Sequence, residues 1–124
     1  MANPNIVSVA SIYGKTVYDT DIATSAASLV SNAASSGKIY KITSLIIANI
    51  DGTNAADITV TLRNAAGGTT HSTIAGTISV PADATLVVVS KDTSIYLEED
   101  MSLYVLASAA GDLSATCSYE EISE

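Results

Sequence analysis

The 124-residue chain has no tryptophan, no phenylalanine, two prolines and a single cysteine, Cys117. One cysteine excludes an intrachain disulfide, and with it the stapled scaffold by which many small secreted domains replace a core. Without Trp or Phe, six tyrosines are the only aromatic area. A core must then be filled by Ile, Val, Leu and Ala, and stacking platforms of the kind that bind sugars are few. Bases are scarce as well, five Lys and Arg against 13 acids for a formal charge of −8. Lys15, Lys38, Lys41, Arg63 and Lys91 are scattered along the chain, so no cluster is available to displace counterions from nucleic acid, and no nucleic-acid partner is expected. No stretch approaches the ~20 apolar residues of a membrane span. The opening residues MANPNIVSVASIYG lack the basic region and apolar run of a signal peptide. No membrane association and folding in a cytoplasm are the expectations, and no Asn-X-Ser/Thr sequon argues otherwise.

What is present is a folding composition. Residues of hydrophobic type make up 48% and charged ones only 15%, which is incompatible with a disordered chain. A domain of this size buries roughly two-thirds of its unfolded surface, so residues 1–124 are read as a single domain, with 1–11 an extended N-terminal arm or edge strand. Ala, Ser and Thr are abundant, and small side chains each remove little area from water at ~25 cal/mol per Å². The isolated monomer is therefore expected to be modestly stable and to gain stability from neighbouring subunits.

Periodicity points to strands. Residues 57–64, DITVTLRN, alternate Ile58, Val60 and Leu62 with Thr59, Thr61 and Arg63, the pattern of a half-buried strand. Residues 38–50, KIYKITSLIIANI, place Tyr40, Ile42, Ile46, Ala48 and Ile50 on one face and Ile39, Leu45 and Ile47 on the other, which predicts a central strand. Asp51-Gly52 between them is a turn dipeptide able to supply positive φ, so the two segments are read as a hairpin. Further strands are expected at 72–80 and 84–89, parted by a turn or sheet switch at Pro81-Ala82-Asp83, then at 94–97, 101–108 and 113–122. Within 21–36, Ile22, Ala26, Val30 and Ala33 fall at helical spacing, but the Ser and Thr content opposes a helix. A strand over 26–32, turning through Ser35-Ser36-Gly37, is preferred. The sum is an all-β, antiparallel β-sandwich of about eight short strands, with the jelly roll as one form the pattern admits.

Candidate chemistry is thin. His71 is the sole histidine, and a triad or a two-histidine metal site needs partners of types this chain barely has; it reads as an exposed loop residue. Cys117 alternates with Leu113 and Ala115 and reads as a small buried apolar residue, not a nucleophile. The groups Asp19/Asp21 and Glu98/Glu99/Asp100 lack the spaced ligands and central glycine of a recognisable calcium loop and read as solvated turn acids. Gly67-Gly68 lacks the lysine of a phosphate loop and reads as a flexible hairpin tip. No catalytic, cofactor-binding or metal-binding residues are assigned, and no enzyme activity is expected.

The stretches GKIYKITSLIIANIDGTNAADITVTL and ISVPADATLVVVSKDTSIYLEEDMSLYVLAS resemble small virion structural proteins of marine tailed bacteriophages, notably cyanophages, over about residues 38–122. The resemblance implies a β-sandwich capsid decoration, or cement, protein that binds the major capsid protein lattice on the capsid exterior, made in the host cytoplasm and forming a homo-oligomer, with a trimer as the guess. A neck, tail or fibre component is the alternative within that resemblance. A carbohydrate-binding β-sandwich module using Tyr13, Tyr18, Tyr40, Tyr96, Tyr104 and Tyr119 is the alternative outside it. No site residues carry over.

Overall fold

A computed structural model describes residues 3–124. Nine strands are present: β1 (Ser11–Asp19), β2 (Ala27–Asn32), β3 (Lys38–Asn49), β4 (Ala56–Asn64), β5 (Thr70–Val80), β6 (Thr85–Val89), β7 (Ile95–Leu97), β8 (Met101–Ala107) and β9 (Leu113–Ser123). One turn of 3-10 helix, Lys91–Thr93, separates β6 from β7. The segment 21–36, where helical spacing competed with strand, therefore contains a strand flanked by turns. Sheet A has the order β1-β9-β3-β6, with β7 also against β3, and sheet B the order β2-β8-β4-β5. All pairings are antiparallel. Two packed sheets with this strand order form a jelly-roll sandwich.

The connectivity corrects one sequence expectation. The segments 38–50 and 57–64 do not form a hairpin, because β3 lies in sheet A and β4 in sheet B. Gly52 is not among the residues with positive φ; the Asp51 carboxylate instead accepts the Thr53 amide at 2.8 Å, which turns the chain toward the other sheet. Asn49 fixes this corner. Its side-chain amide, buried, donates to the carbonyls of Asn54 and Val80, each at 2.9 Å. Asn32 has the same role at the β2–β3 crossing, donating to the carbonyls of Lys38 at 2.9 Å and Leu97 at 3.1 Å. Each buried amide and the carbonyls it meets satisfy one another, which is why polar residues sit in the apolar interior. Pro81-Ala82-Asp83 is a sheet switch, since β5 and β6 lie in different sheets. Among consecutive strands only β4 and β5 are hydrogen-bonded to each other.

The face assignment of β3 is also corrected. Ile42 pairs with Tyr119 and Ser44 with Ser118, so Thr43 is the extra residue of a bulge. Before it Tyr40 and Ile42 face inward; after it Leu45, Ile47 and Asn49 do, opposite Cys117, Ala115 and Leu113. One inserted residue exchanges the faces of everything that follows, so Ile46 and Ala48 face outward. The core between the sheets consists of aliphatic side chains, the largest fully buried ones being Ile22, Ile42, Leu45, Ile47, Ile58, Leu97, Leu103 and Leu113. Removing each from water contributes ~1.5–3 kcal/mol before entropy is counted.

The strand β1 was not legible as one, and the edge-strand expectation for residues 1–11 is displaced to it. Residues 1 and 2 lie outside the described part; within 3–10 a turn is closed by the Ser8 amide on the Asn5 carbonyl at 3.1 Å, and the Ala10 amide donates to the Ser123 carbonyl at 2.9 Å. Ser11 then begins the edge strand.

Candidate interaction surface

The inner face of sheet A carries a polar cluster beside the core. Tyr40, Tyr119 and Glu121 face inward on β3 and β9, and Lys15 on β1 stands opposite Tyr119. The Tyr40 and Tyr119 rings stack with centroids 5.1 Å apart and planes inclined by 29°. Glu121, only 7% exposed, accepts from Lys15 Nζ at 3.2 Å and Lys38 Nζ at 3.4 Å. Burial alone would raise the Glu121 carboxyl, but the contacts and charges of the two lysines outweigh it and hold the group below its ordinary value. The Tyr40 phenol is pushed up to about 12, first by burial and then by the neighbouring Glu121 charge. The arrangement is a buried carboxylate neutralised from two strands, which ties the edge strand β1 to the sheet.

The residues singled out in the sequence do not converge. His71 is exposed, near the start of β5, not in a loop. Cys117 is fully buried, and desolvation pushes its thiol up to about 12, which leaves almost no thiolate for chemistry at neutral pH. Asp19 accepts the Asp21 amide at 3.1 Å and Asp21 the Gly111 amide at 2.7 Å, so both are turn acids. At the other acidic corner Asp100 accepts the Ala66 amide at 2.9 Å. Glu98 takes a hydrogen bond from the Asn3 side chain. Glu99 departs from the solvated reading: both its carboxylate oxygens are buried and, among the described residues, meet no hydrogen-bond partner. Among the described residues no group of three His, Cys, Asp or Glu is placed to hold a metal ion, and no helix is long and apolar enough to cross a membrane. Gly67 and Gly68 both have positive φ, as a hairpin tip requires, but the tip is held. Arg63 donates to the Gly68 carbonyl at 3.4 Å, and its guanidinium lies 4.7 Å from the Tyr104 ring centroid.

The tyrosines are likewise dispersed. Tyr40 and Tyr119 are stacked inside, Tyr104 lies beneath Arg63, and Tyr96 is on the outer face beside Lys41. Tyr13 and Tyr18 belong to β1 but point to opposite faces.

Exposed apolar side chains have a clearer distribution. Ile12, Tyr13 and Tyr18 on β1 are 52%, 59% and 69% exposed, and Val7 just before it 91%. Across sheet A, Val87 is exposed beside an open depression of ≈ 510 Å³ on the outer face, bounded by Ile46, Val89, Lys41, Lys91 and Glu120. A smaller recess of ≈ 230 Å³ lies between Thr59, Thr77 and Leu106. These are shallow surface features, suited to contact with another surface rather than to enclosing a small molecule.

No family model and no curated protein matches the chain. Among solved structures, a chain from Bacillus endospore appendages, described as a novel family of disulfide-linked pili, is similar over 91% of this chain and 88% of its own length, with a TM-score of 0.53 and 20% identity. At that identity the likeness is one of fold: a β-sandwich of the same general design.

Proposed function

We propose that the chain is a non-enzymatic structural subunit that works through its exterior in a larger assembly, in its most specific form a decoration protein on a phage capsid lattice. The observation that carries the reading is the placement of exposed Ile12, Tyr13 and Tyr18 on an edge strand and of Val87 on the outer face of the same sheet. Large apolar side chains left exposed on an unpaired edge strand, and again on the outer face at the opposite edge of the same sheet, mark places where other chains make contact. The sequence resemblance to virion structural proteins supplies the capsid as the setting. Many equivalent copies on a lattice bind firmly even when each contact is weak, which suits a domain with shallow surfaces.

A second reading, a subunit of a fibre, tail or filament, is favoured by the shared fold with a pilus-forming chain. If it holds, the links between subunits are not disulfides through Cys117, which is fully buried. The position and copy number of the chain in purified particles, read by electron microscopy and quantitative mass spectrometry, test both. Hundreds of copies spread over the shell support decoration. A few copies confined to the tail support the fibre reading, and absence from any particle refutes both.

A further inference from the structure

Each sheet of the sandwich ends in strands with one unpaired side. An unpaired side exposes a row of amides and carbonyls that will pair with another strand unless something prevents it. Three of the four edges are obstructed. β2 has a register shift at Leu29. β5 has three shifts against β4 and a left-handed Thr77 with φ of 47°. The last edge is divided between β6, five residues with a register shift of its own, and β7, three residues. Only β1 is long and regular: nine residues pair with β9, Ser11 with Ser123 through Asp19 with Ala115, without a shift.

The residues of β1 also indicate what fits beside it. Two copies related by a twofold axis perpendicular to the sheet run antiparallel and keep their inner faces on the same side, so paired residue numbers must sum to an even value. With the sum 30 all nine residues pair: Ser11 faces Asp19, Ile12 faces Tyr18, Tyr13 faces Val17, Gly14 faces Thr16, and Lys15 faces itself. Both large outward residues thus meet across the seam, and both apolar inward residues do the same. Aromatic with β-branched partners directly opposite are among the favourable cross-strand pairs. Registers with sums of 28 and 32 leave β1 residues without partners and set Tyr13 against Lys15 or Asp19. The one like-charge apposition of the preferred register is already neutralised, because each Lys15 contacts its own Glu121 at 3.2 Å. Within a chain of net charge −8, β1 has one base and one acid, so it is a strand that two copies can bring together without opposing net charge.

We infer that β1 is a self-association edge: it pairs antiparallel with β1 of a second copy about Lys15, joining two five-stranded sheets into one continuous sheet. This rests on the reading of the chain as an assembling subunit and specifies which edge assembles. The contact is isologous, as a closed dimer requires.

Engineered cysteines test it on the full chain, since Cys117 is buried and stays out of the reaction. In the inferred register the two copies of residue 15 lie about 4.5–5.5 Å apart at Cα, inside the range a disulfide spans. Under mild oxidation Lys15→Cys should cross-link to itself at least ten times faster than Gly14→Cys or Thr16→Cys alone. An equimolar mixture of Gly14→Cys and Thr16→Cys should form the mixed dimer in preference to either homodimer. That mixture leaves the Lys15–Glu121 contact intact, so it reports even if Lys15→Cys is poorly folded. Equal rates for the three single variants and no preference in the mixture overturn the inference. Faster self-linking of Ser72→Cys, exposed on the β5 edge, also overturns it, yet leaves the assembling-subunit reading in place because another edge is then the seam. Failure to find the chain in any particle affects that wider reading alone.

Discussion

Replacing Glu121 by glutamine probes the anchoring of the edge strand, because the change keeps the side-chain volume and removes only the charge. In the native protein this nearly buried carboxylate meets Lys15 at 3.2 Å and Lys38 at 3.4 Å. Hydrogen bonds to a charged group contribute ~1.5–3 kcal/mol each when well enclosed. The two lysine side chains are 45% and 40% exposed, so water screens the contacts and each is reduced toward the ~0.2–1 kcal/mol of open pairs. A combined loss of about 1–2 kcal/mol follows, or a fall in Tm of about 4–8 °C for a domain of this length. The pH dependence gives a sharper check. Glu121 is held below its ordinary value of 4.5 in the folded state. Its contribution is therefore complete above that pH and is lost as the pH falls through the lower folded-state value. Urea midpoints of the wild type and Glu121→Gln, measured from neutral pH downward, should differ at pH 7 and converge in acid. Coincident midpoints at pH 7, or a gap that persists unchanged at about pH 3, would show that the lysines do not stabilise the fold through this carboxylate.

Other outcomes follow from the same geometry. Asn32→Leu leaves the Lys38 and Leu97 carbonyls without the amide that now reaches them, and a loss of about 2–3 kcal/mol in chemical denaturation is expected. Leu103→Ala empties a fully buried site and should cost about 3–4 kcal/mol, with the m-value unchanged. The Cys117 thiol should be inert to a thiol reagent in the native protein at pH 8 and react stoichiometrically once urea unfolds it; rapid native labelling would contradict its burial. Tyr40 should ionise only at about 12, as a late step in the absorbance titration that Tyr40→Phe abolishes. Because its folded-state value exceeds the ordinary 10.0, this group's contribution to stability is lost as the pH rises above 10.

Alternation within a strand was readable because it depends on neighbours two residues apart. Ile58, Val60 and Leu62 face the core, as do Leu103, Val105 and Ala107. Cys117 could be placed inside for the same reason. The edge strand 11–19 escaped notice because residues 12–16 are exposed on both faces, so little alternation of burial is imprinted on it. Glu121 gave no signal in EEISE, since its partners Lys15 and Lys38 lie more than 80 positions away in the chain. An acid in an otherwise inward-facing set, Leu113, Ala115, Cys117 and Tyr119, was the available clue.

Composition and local period determined that the chain would form short antiparallel strands around an aliphatic core, because side-chain size and the two-residue pleat act within a few residues. The partner of each strand was decided by the tertiary structure alone. Asp51-Gly52 has the chemistry of a hairpin turn, yet β3 and β4 part company there. Burying both apolar faces requires the chain to alternate between two sheets, and Asn49 reaches across to hold that crossing. The bulge at Thr43 likewise follows from fitting β3 between β9 and the β6–β7 edge. Local preferences set which conformations are available, and packing of distant segments selects among them.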